Sequence, residues 1–238
     1  MKALPPLPKI LAFDVFGTVV DWHSSIAAEV QALIPSMDGD AFALAWRKGY
    51  QPAMQRVMSG ELGWTLIDDL HRIILDDVLE TLGISILAEA QKQHLNKAWH
   101  RLKAWPDAVL GLSRLKSQFT ICTLSNGNLG LLTNMAKNAG LPWDCILSAE
   151  VFKAYKPDPA TYLGVAKVFD VAPSEVMLVA AHQDDLVAAR NCGLQTAYIE
   201  RPLEFGAKHV KDVSPDAANT YHAKDFLDLA VQLTEGNK

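Results

Sequence analysis

What most restricts this chain is a rhythm: past Pro106, short apolar runs alternate with segments of helical spacing. Phe119–Leu124, Cys145–Ser148, Val176–Ala181 and Thr196–Ile199 predict buried strands. Ala108–Lys116, Leu129–Ala139, Pro159–Phe169 and Leu186–Cys192 predict helices among them. Strands joined through helices pair in parallel and leave helices on both faces of the sheet. Ile10-Leu11-Ala12-Phe13 is a further apolar run, closed by Asp14 and followed by Gly17-Thr18, and it predicts another buried strand. Between Ser24 and His100 the signal differs. No strand pattern occurs there, and helical spacing runs over Ser25–Leu33, Asp40–Met58, Trp64–Leu82 and Leu87–Leu102, with Gly60, Gly63 and Gly83 between. The expected fold is therefore α/β: a doubly wound parallel sheet built from residues 1–23 and 104–238, with residues 24–103 inserted as a helical subdomain. Glu204–Asn219 is polar and aperiodic and predicts a loop.

Composition narrows the function classes. Half of the 238 residues are hydrophobic, enough for a substantial core. The net charge of -5, with no run of Lys or Arg, gives no footprint for nucleic acid. No apolar stretch is long enough to span a bilayer, and the prolines of Met1–Pro8 stand where a signal peptide needs an apolar helix. A cytoplasmic location and a small-molecule substrate are the default expectations. Cys122, Cys145 and Cys192 are scattered, form no C-x-x-C pair and are expected to be reduced thiols.

In doubly wound folds ligands bind at the carboxyl ends of the strands. Four polar clusters fall at or near such ends: Asp14, Ser125-Asn126-Gly127, Lys156, and His182-Gln183-Asp184-Asp185. One strand-end Asp alone is weak evidence, because Asp also caps helices. Four clusters in register with the strands are harder to assign to caps and turns.

Phe13-Asp14-Val15-Phe16-Gly17-Thr18, Leu124-Ser125-Asn126-Gly127, Tyr155-Lys156-Pro157-Asp158 and Ala181-His182-Gln183-Asp184-Asp185 resemble, in that order, the four motifs of the haloacid dehalogenase superfamily. The first three are most similar to the type II 2-haloacid dehalogenases. The resemblance runs along nearly the whole chain and makes the helical insert a cap over the substrate. It implies hydrolysis of haloacetates and 2-halopropionates to 2-hydroxy acids through an aspartyl ester, with neither metal nor cofactor, and a homodimer.

Two positions bear on the reaction. Phosphatases of the superfamily carry a second Asp two residues after the nucleophile, which protonates the departing alkoxide. Here that residue is Phe16. General acid catalysis is worth about 10²–10⁴ in rate, so a phosphatase without it is badly impaired, whereas a halide departs without a proton. Four residues before Asp185, where phosphatases place a Mg²⁺ ligand, stands Ala181. Mg²⁺ prefers an octahedral shell of oxygens, and Asp184 could restore the missing carboxylate. A phosphatase and a non-catalytic small-molecule binder remain the alternatives.

The resemblance implies roles residue by residue. Asp14 is the nucleophile, Lys156 orients it, and Asp185 positions Lys156 or the hydrolytic water. Thr18 and Ser125 hydrogen-bond the nucleophile or the substrate carboxylate, and Arg47 receives the halide. Val15, Phe16, Asn126, Tyr162, His182 and Trp46 line the substrate, with Asn126 opening a helix whose free N–H groups favour anions. Each role has a plainer rival: Arg47 as a solvated helix charge, Trp46 and Tyr162 as core, Thr18 as a helix cap. His71, His94 and His100 are expected at the surface or in packing. The better-known dehalogenases have Ser-Ser-Asn where this chain has Ala180-Ala181-His182. His182 could replace the asparagine as a donor, act as a base near its ordinary pKa of about 6.5, or be structural. Trp22, Trp46, Tyr50 and Trp64 suggest an aromatic pocket, or equally a cap core.

Overall fold

The computed structural model describes residues 5–234. Its main sheet has six parallel strands in the order β5-β4-β1-β6-β7-β8. These are β1 (Ile10–Phe13), β4 (Thr120–Ser125), β5 (Cys145–Ser148), β6 (Val176–Ala180), β7 (Gln195–Ile199) and β8 (Tyr221–Ala223). Period-two alternation divides the strand side chains between two cores. Leu11, Phe13, Ile121, Met177, Val179, Ala197 and Ile199 face one side, with Leu112 and Leu115 of α6 (Ala108–Lys116), Leu131 and Met135 of α7 (Leu129–Ala139), and Phe226 and Leu229 of α11 (Phe226–Thr234). Ile10, Ala12, Cys122, Leu124, Leu178 and Ala180 face the other, under Tyr162 and Val165 of α9 (Pro159–Val168) and Leu186 and Ala189 of α10 (Gln183–Asn191). Burial on both faces is why these strands read as continuous apolar runs. A short helix, α8 (Ala149–Phe152), follows β5. The three cysteines are unpaired, and among the described residues no helix is long and apolar enough to cross a membrane.

The chain leaves β1 in one direction for β4 and β5, then crosses over to β6, β7 and β8. Strand β1 therefore sits at the point where the winding reverses, the place where such sheets bind ligands. Asp14 follows it directly, its N–H donating to the Val179 carbonyl at 3.0 Å.

The insert is made of α1 (Trp22–Leu33), α2 (Gly39–Lys48), α3 (Tyr50–Met58), α4 (Ile67–Thr81) and α5 (Glu89–Asn96), closed by a 3₁₀ turn at Lys97–His100. The chain enters it through β2 (Val20–Asp21) and returns through β3 (Lys103–Ala104), which pair antiparallel. The single helix expected over Asp40–Met58 is two, α2 and α3. Pro52 has no N–H to give and sits without strain only in a first turn, and at Gly49 a Cβ would lie 2.4 Å from Ile74 Cγ2. The helix expected to Leu102 stops at Asn96 and tightens into the 3₁₀ turn, and the one expected from Trp64 begins at Ile67.

Candidate active site

The loop after β1 is pinned on several sides. Gly17, at φ +85°, turns the chain so that its N–H reaches the Val20 carbonyl at 3.0 Å. Its own carbonyl accepts from Trp105 Nε1 at 2.9 Å. The Arg201 Nε donates to the Thr18 carbonyl at 2.9 Å, while the rest of its guanidinium grips Asp107 through two bonds of 2.9 and 2.8 Å. Asp14 is thus presented from a fixed backbone, and it is only 7 % exposed.

Each oxygen of Asp14 has its own partners. Oδ1 accepts from Lys156 Nζ at 2.9 Å. Oδ2 accepts from the Thr18 hydroxyl at 2.6 Å and lies 3.1 Å from His182 Nδ1. Thr18 Oγ1 in turn accepts from the Ala181 N–H at 2.9 Å, so this threonine is a bridge across the site and not a helix cap. Lys156 Nζ also donates to Asp185 Oδ2 at 2.5 Å, and the other oxygen of Asp185 accepts from Tyr162 at 2.6 Å. Tyr162 therefore stands behind Asp185 and does not line the substrate side. The Lys156 backbone is held by Asn126, whose Oδ1 accepts its N–H at 2.8 Å.

His182 bridges two carboxylates. Its Nε2 lies 2.7 Å from Glu204 Oε1. Glu204 is fully buried, and its Oε2 accepts from Lys211 Nζ at 2.6 Å. Only the imidazolium offers a donor on both ring nitrogens. Burial alone would lower the His182 pKa, but Glu204 and Asp14 outweigh it and raise it to about 9. Burial would likewise raise Asp14, yet Lys156 and His182 hold it well below the usual carboxylate range. Asp185 is pushed up, by burial first and by the Asp14 charge against the pull of Lys156. Glu204 is held at about 2 by His182 and Lys211 against its burial. A charged His182 is a donor at neutral pH, which removes the expectation that it acts as a base there.

One expected position is corrected, and one expected contact takes its other form. Asn126 does not open a helix: α7 starts at Leu129, and that residue's N–H is already satisfied by Glu150 Oε2 at 2.8 Å. Of the two hydroxyls expected on the nucleophile or the substrate carboxylate, Thr18 is the one on Asp14, and Ser125 accepts from the Gly127 N–H at 3.1 Å.

Above Asp14 the cap supplies an aromatic wall. Phe16 meets Tyr50, His71 and Trp99 edge-on at centroid distances of 6.5, 6.4 and 5.9 Å. Gly127 leaves it room, since a Cβ there would lie 3.2 Å from Phe16 Cε2. His71 stacks on Trp99 at 4.3 Å, and neither of its ring nitrogens has a hydrogen-bond partner among the described residues. Burial holds it neutral, with its pKa lowered to about 3. Trp46 packs on Phe42, His71 and Trp99 and donates to the His71 carbonyl at 2.9 Å, so it belongs to the core of the cap. Trp64 stacks on Tyr155 instead. The Arg47 guanidinium lies 4.1 Å from the Tyr50 ring centroid and 5.7 Å from that of Trp22, and it makes no ion pair among the described residues. Val15 is buried, its carbonyl accepting from the Val19 and Val20 N–H groups.

Glu204, Lys211, His71 and Trp99 are the residues of the site that sequence reasoning missed. Glu204 and Lys211 lie in the stretch expected only as loop, and it is indeed without regular structure. The one available signal was His182 itself, a strand-end cation in need of a counter-charge. His100, expected in packing, is nearly buried against Asp68 at 2.9 Å, and Asn134 of the core meets its other nitrogen at 3.0 Å. A surface cleft of about 550 Å³ near Pro6, Glu175 and Gln195 lies at the amino ends of the strands, away from this chemistry.

Comparison with known proteins agrees with this geometry. Residues 8–193 match the haloacid dehalogenase-like hydrolase family. An (S)-2-haloacid dehalogenase from Pseudomonas sp. (strain CBS-3) is 32% identical over 204 residues, covering 81% of this chain and 86% of that protein. The crystal structure of a defluorinating L-2-haloacid dehalogenase superposes with a TM-score of 0.92 at 44% identity, over 95% of each chain. The L-2-haloacid dehalogenase of Xanthobacter autotrophicus with chloropropionic acid covalently bound gives 0.82 at 25% identity, over 96% of this chain and 99% of that one.

Proposed function

The chain belongs to the haloacid dehalogenase-like hydrolase family, and we propose that it hydrolyses short 2-haloalkanoic acids, haloacetates and (S)-2-halopropionates among them, to 2-hydroxy acids. The observation that carries this reading is the pairing of a buried, ionised Asp14 with Phe16 at the position where a phosphatase keeps its acid. Asp14 is a nucleophile without a proton donor beside the leaving group, under an apolar wall. Such a site suits a leaving group that departs as an anion.

The reaction has two displacements. A carboxylate oxygen of Asp14 attacks C2 from the side opposite the halogen, the carbon–halogen bond breaks, and the halide leaves with the electron pair. Water then adds to the Asp14 carboxyl carbon, and the bond from that carbon to the substrate oxygen breaks. The products are the 2-hydroxy acid and a proton, with Asp14 restored. Lys156 holds Asp14 in place, and Asp185, fixed by Tyr162, holds Lys156. Arg47, a cap residue whose guanidinium lies over the Tyr50 ring, is assigned to receive the halide.

The residues present do not suit a Mg²⁺ ion. Asp14 and Asp185 are already joined through the Lys156 ammonium, at 2.9 and 2.5 Å. Ala181 brings no ligand, and Asp184 is exposed. The charges already balance: Asp14, Asp185 and Glu204 against Lys156, His182 and Lys211.

The test is a single turnover in H₂¹⁸O with chloroacetate, 2-chloropropionate and fluoroacetate. The label is expected on Asp14 and absent from the first molecule of product. Label found directly in the hydroxy acid, or phosphate release from phosphomonoesters exceeding halide release, would overturn the reading. Asp14→Asn abolishes steady turnover.

A further inference from the structure

The two oxygens of Asp14 are not equivalent. Oδ2 is engaged twice, by Thr18 at 2.6 Å and by His182 at 3.1 Å. A carboxylate oxygen with both lone-pair directions in use cannot attack carbon without first releasing a partner. Oδ1 has one partner, Lys156, which is itself drawn to Asp185 at 2.5 Å. Oδ1 therefore has the free lone pair. If it forms the bond to C2, Oδ2 becomes the carbonyl oxygen of the ester. When water adds to the ester, the negative charge develops on Oδ2, where an alcohol and an imidazole already point.

Resting on the aspartyl-ester reading above, we infer that His182 and Thr18 form the oxyanion site for hydrolysis of the ester, and that Glu204 is a positioning residue that keeps His182 protonated and aimed. Donors aimed at an oxygen on which charge develops stabilise the transition state more than the ground state. An imidazolium is the stronger of these two donors, because its bond to an oxyanion is charge-assisted.

The placement of Glu204 is specific. Its carboxylate occupies the space beside Gly17, where a Cβ would lie 2.2 Å from Oε1. The loop behind the nucleophile is therefore glycine not only for its turn but to admit this side chain. Lys211 fixes the second oxygen of Glu204 and also donates to the Ala181 carbonyl at 2.5 Å, and Trp22 Nε1 approaches Oε1 at 3.4 Å. The charged groups around His182 are accounted for. Asp14 at the end of β1 and Glu204 in the loop after β7 favour its charge. Lys211 and Lys156 oppose it from one bond further away, each already paired with one of those carboxylates. Asp185 acts only through Lys156.

The sign of the pH effect follows. His182 donates to Oδ2 below its raised pKa of about 9; above it the ring keeps one N–H, which the closer Glu204 at 2.7 Å holds on Nε2, and Nδ1 no longer donates. Without the Glu204 charge the loss occurs at lower pH, nearer the ordinary value of about 6.5. The experiment separates the two half-reactions in the whole protein with 2-chloropropionate. Rapid-quench halide release reports ester formation, and intact-protein mass reports the ester. His182→Gln is expected to keep a halide burst of one equivalent per site and to slow ester breakdown by about 10²–10³, the usual loss for one oxyanion donor. Glu204→Gln is expected to move the alkaline limit of ester breakdown at least one pH unit lower, with the burst unchanged. Lys211→Met, which leaves Glu204 in place, provides a second variant should Glu204→Gln not fold. Its Glu204 charge is less well balanced, so the limit is expected to move higher, and an unmoved or lowered limit overturns the inference. Slowed halide release without accumulated ester, or an unmoved alkaline limit in Glu204→Gln, overturns the inference. Wild-type protein whose Asp14 stays unlabelled in H₂¹⁸O overturns the ester reading itself, a result distinct from a labelled wild type with unshifted variants.

Discussion

Arg47 allows two magnitudes to be set against each other in one substitution, Arg47→Met. In the resting protein its guanidinium is half-buried and lies 4.1 Å from the Tyr50 ring centroid, with no carboxylate paired to it among the described residues. What it contributes to the fold is then a cation–π contact, worth about 1–2 kcal/mol when partly desolvated. Methionine keeps an apolar stem over Tyr50 and recovers part of that. At about 2–4 °C per kcal/mol for a chain of this size, the full contact is worth roughly 2–8 °C in melting temperature, and the fall in Arg47→Met is smaller than that. Catalysis has more to lose. Removing one group that meets developing negative charge costs about 3–4 kcal/mol, a factor of 10²–10³ in kcat. Initial rates of halide release with bromo-, chloro- and fluoroacetate, beside thermal melts, measure both. The rate deficit is expected to be largest for fluoroacetate, whose halide is the poorest leaving group and most needs a cation. A kcat within threefold of the parent, or a deficit equal for all three halides and matched by collapse of the fold, would return Arg47 to a structural role.

Two further outcomes are expected. Arg201→Met strips the bidentate partner from Asp107, whose side chain is only 12 % exposed and keeps just the Phe226 N–H, so unfolding in urea should lose up to about 3–5 kcal/mol; adding Asp107→Asn should restore much of it, and a double variant no more stable than the single one would refute this account of the pair. Halide release should survive exhaustive EDTA treatment, because Lys156 already bridges Asp14 and Asp185; activity lost to EDTA and regained with Mg²⁺ would point instead to a cation held with the help of Asp184.

How much of this was legible depends on whether a residue's role shows in local pattern. Strands β1, β4, β5, β6 and β7 announce themselves because both their faces are buried, which makes the run continuously apolar. Strands β2 and β3 are two residues long and carry no pattern at all. The last pair, β8 and α11, lies past the polar stretch Glu204–Asn219, which breaks the alternation, although Phe226, Leu229, Ala230 and Leu233 have helical spacing. Asp14 stands out because it closes an apolar run where a strand ends, and Lys156 and Asp185 because they fall in polar segments that follow strands. Glu204 does not: a fully buried carboxylate inside a polar, aperiodic loop looks like any solvated glutamate until the loop is seen folded over His182. The aromatic residues show the opposite limit. Composition points to a wall, but only packing separates Tyr50, His71 and Trp99, which face Phe16, from Trp46 behind them.

The pairing of β2 with β3 has a consequence for how such a protein can diversify. Val20 lies opposite Ala104 and Asp21 opposite Lys103, so the whole helical cap stands where a hairpin would have its turn. To the sheet, the cap is a turn of arbitrary length. The entropy of closing a loop grows only with the logarithm of its length, about 0.6 kcal/mol per doubling, and both ends are already held side by side. Such a junction lets the aromatic wall and Arg47 be rebuilt, shortened or exchanged without disturbing the register of a single core strand. Glu204 and Lys211 come from the other side of that junction, in the same body as Asp14. The nucleophile with its supporting charges and the aromatic wall with Arg47 therefore lie on separate pieces of chain, and a change of cap alters the second while leaving the first in place.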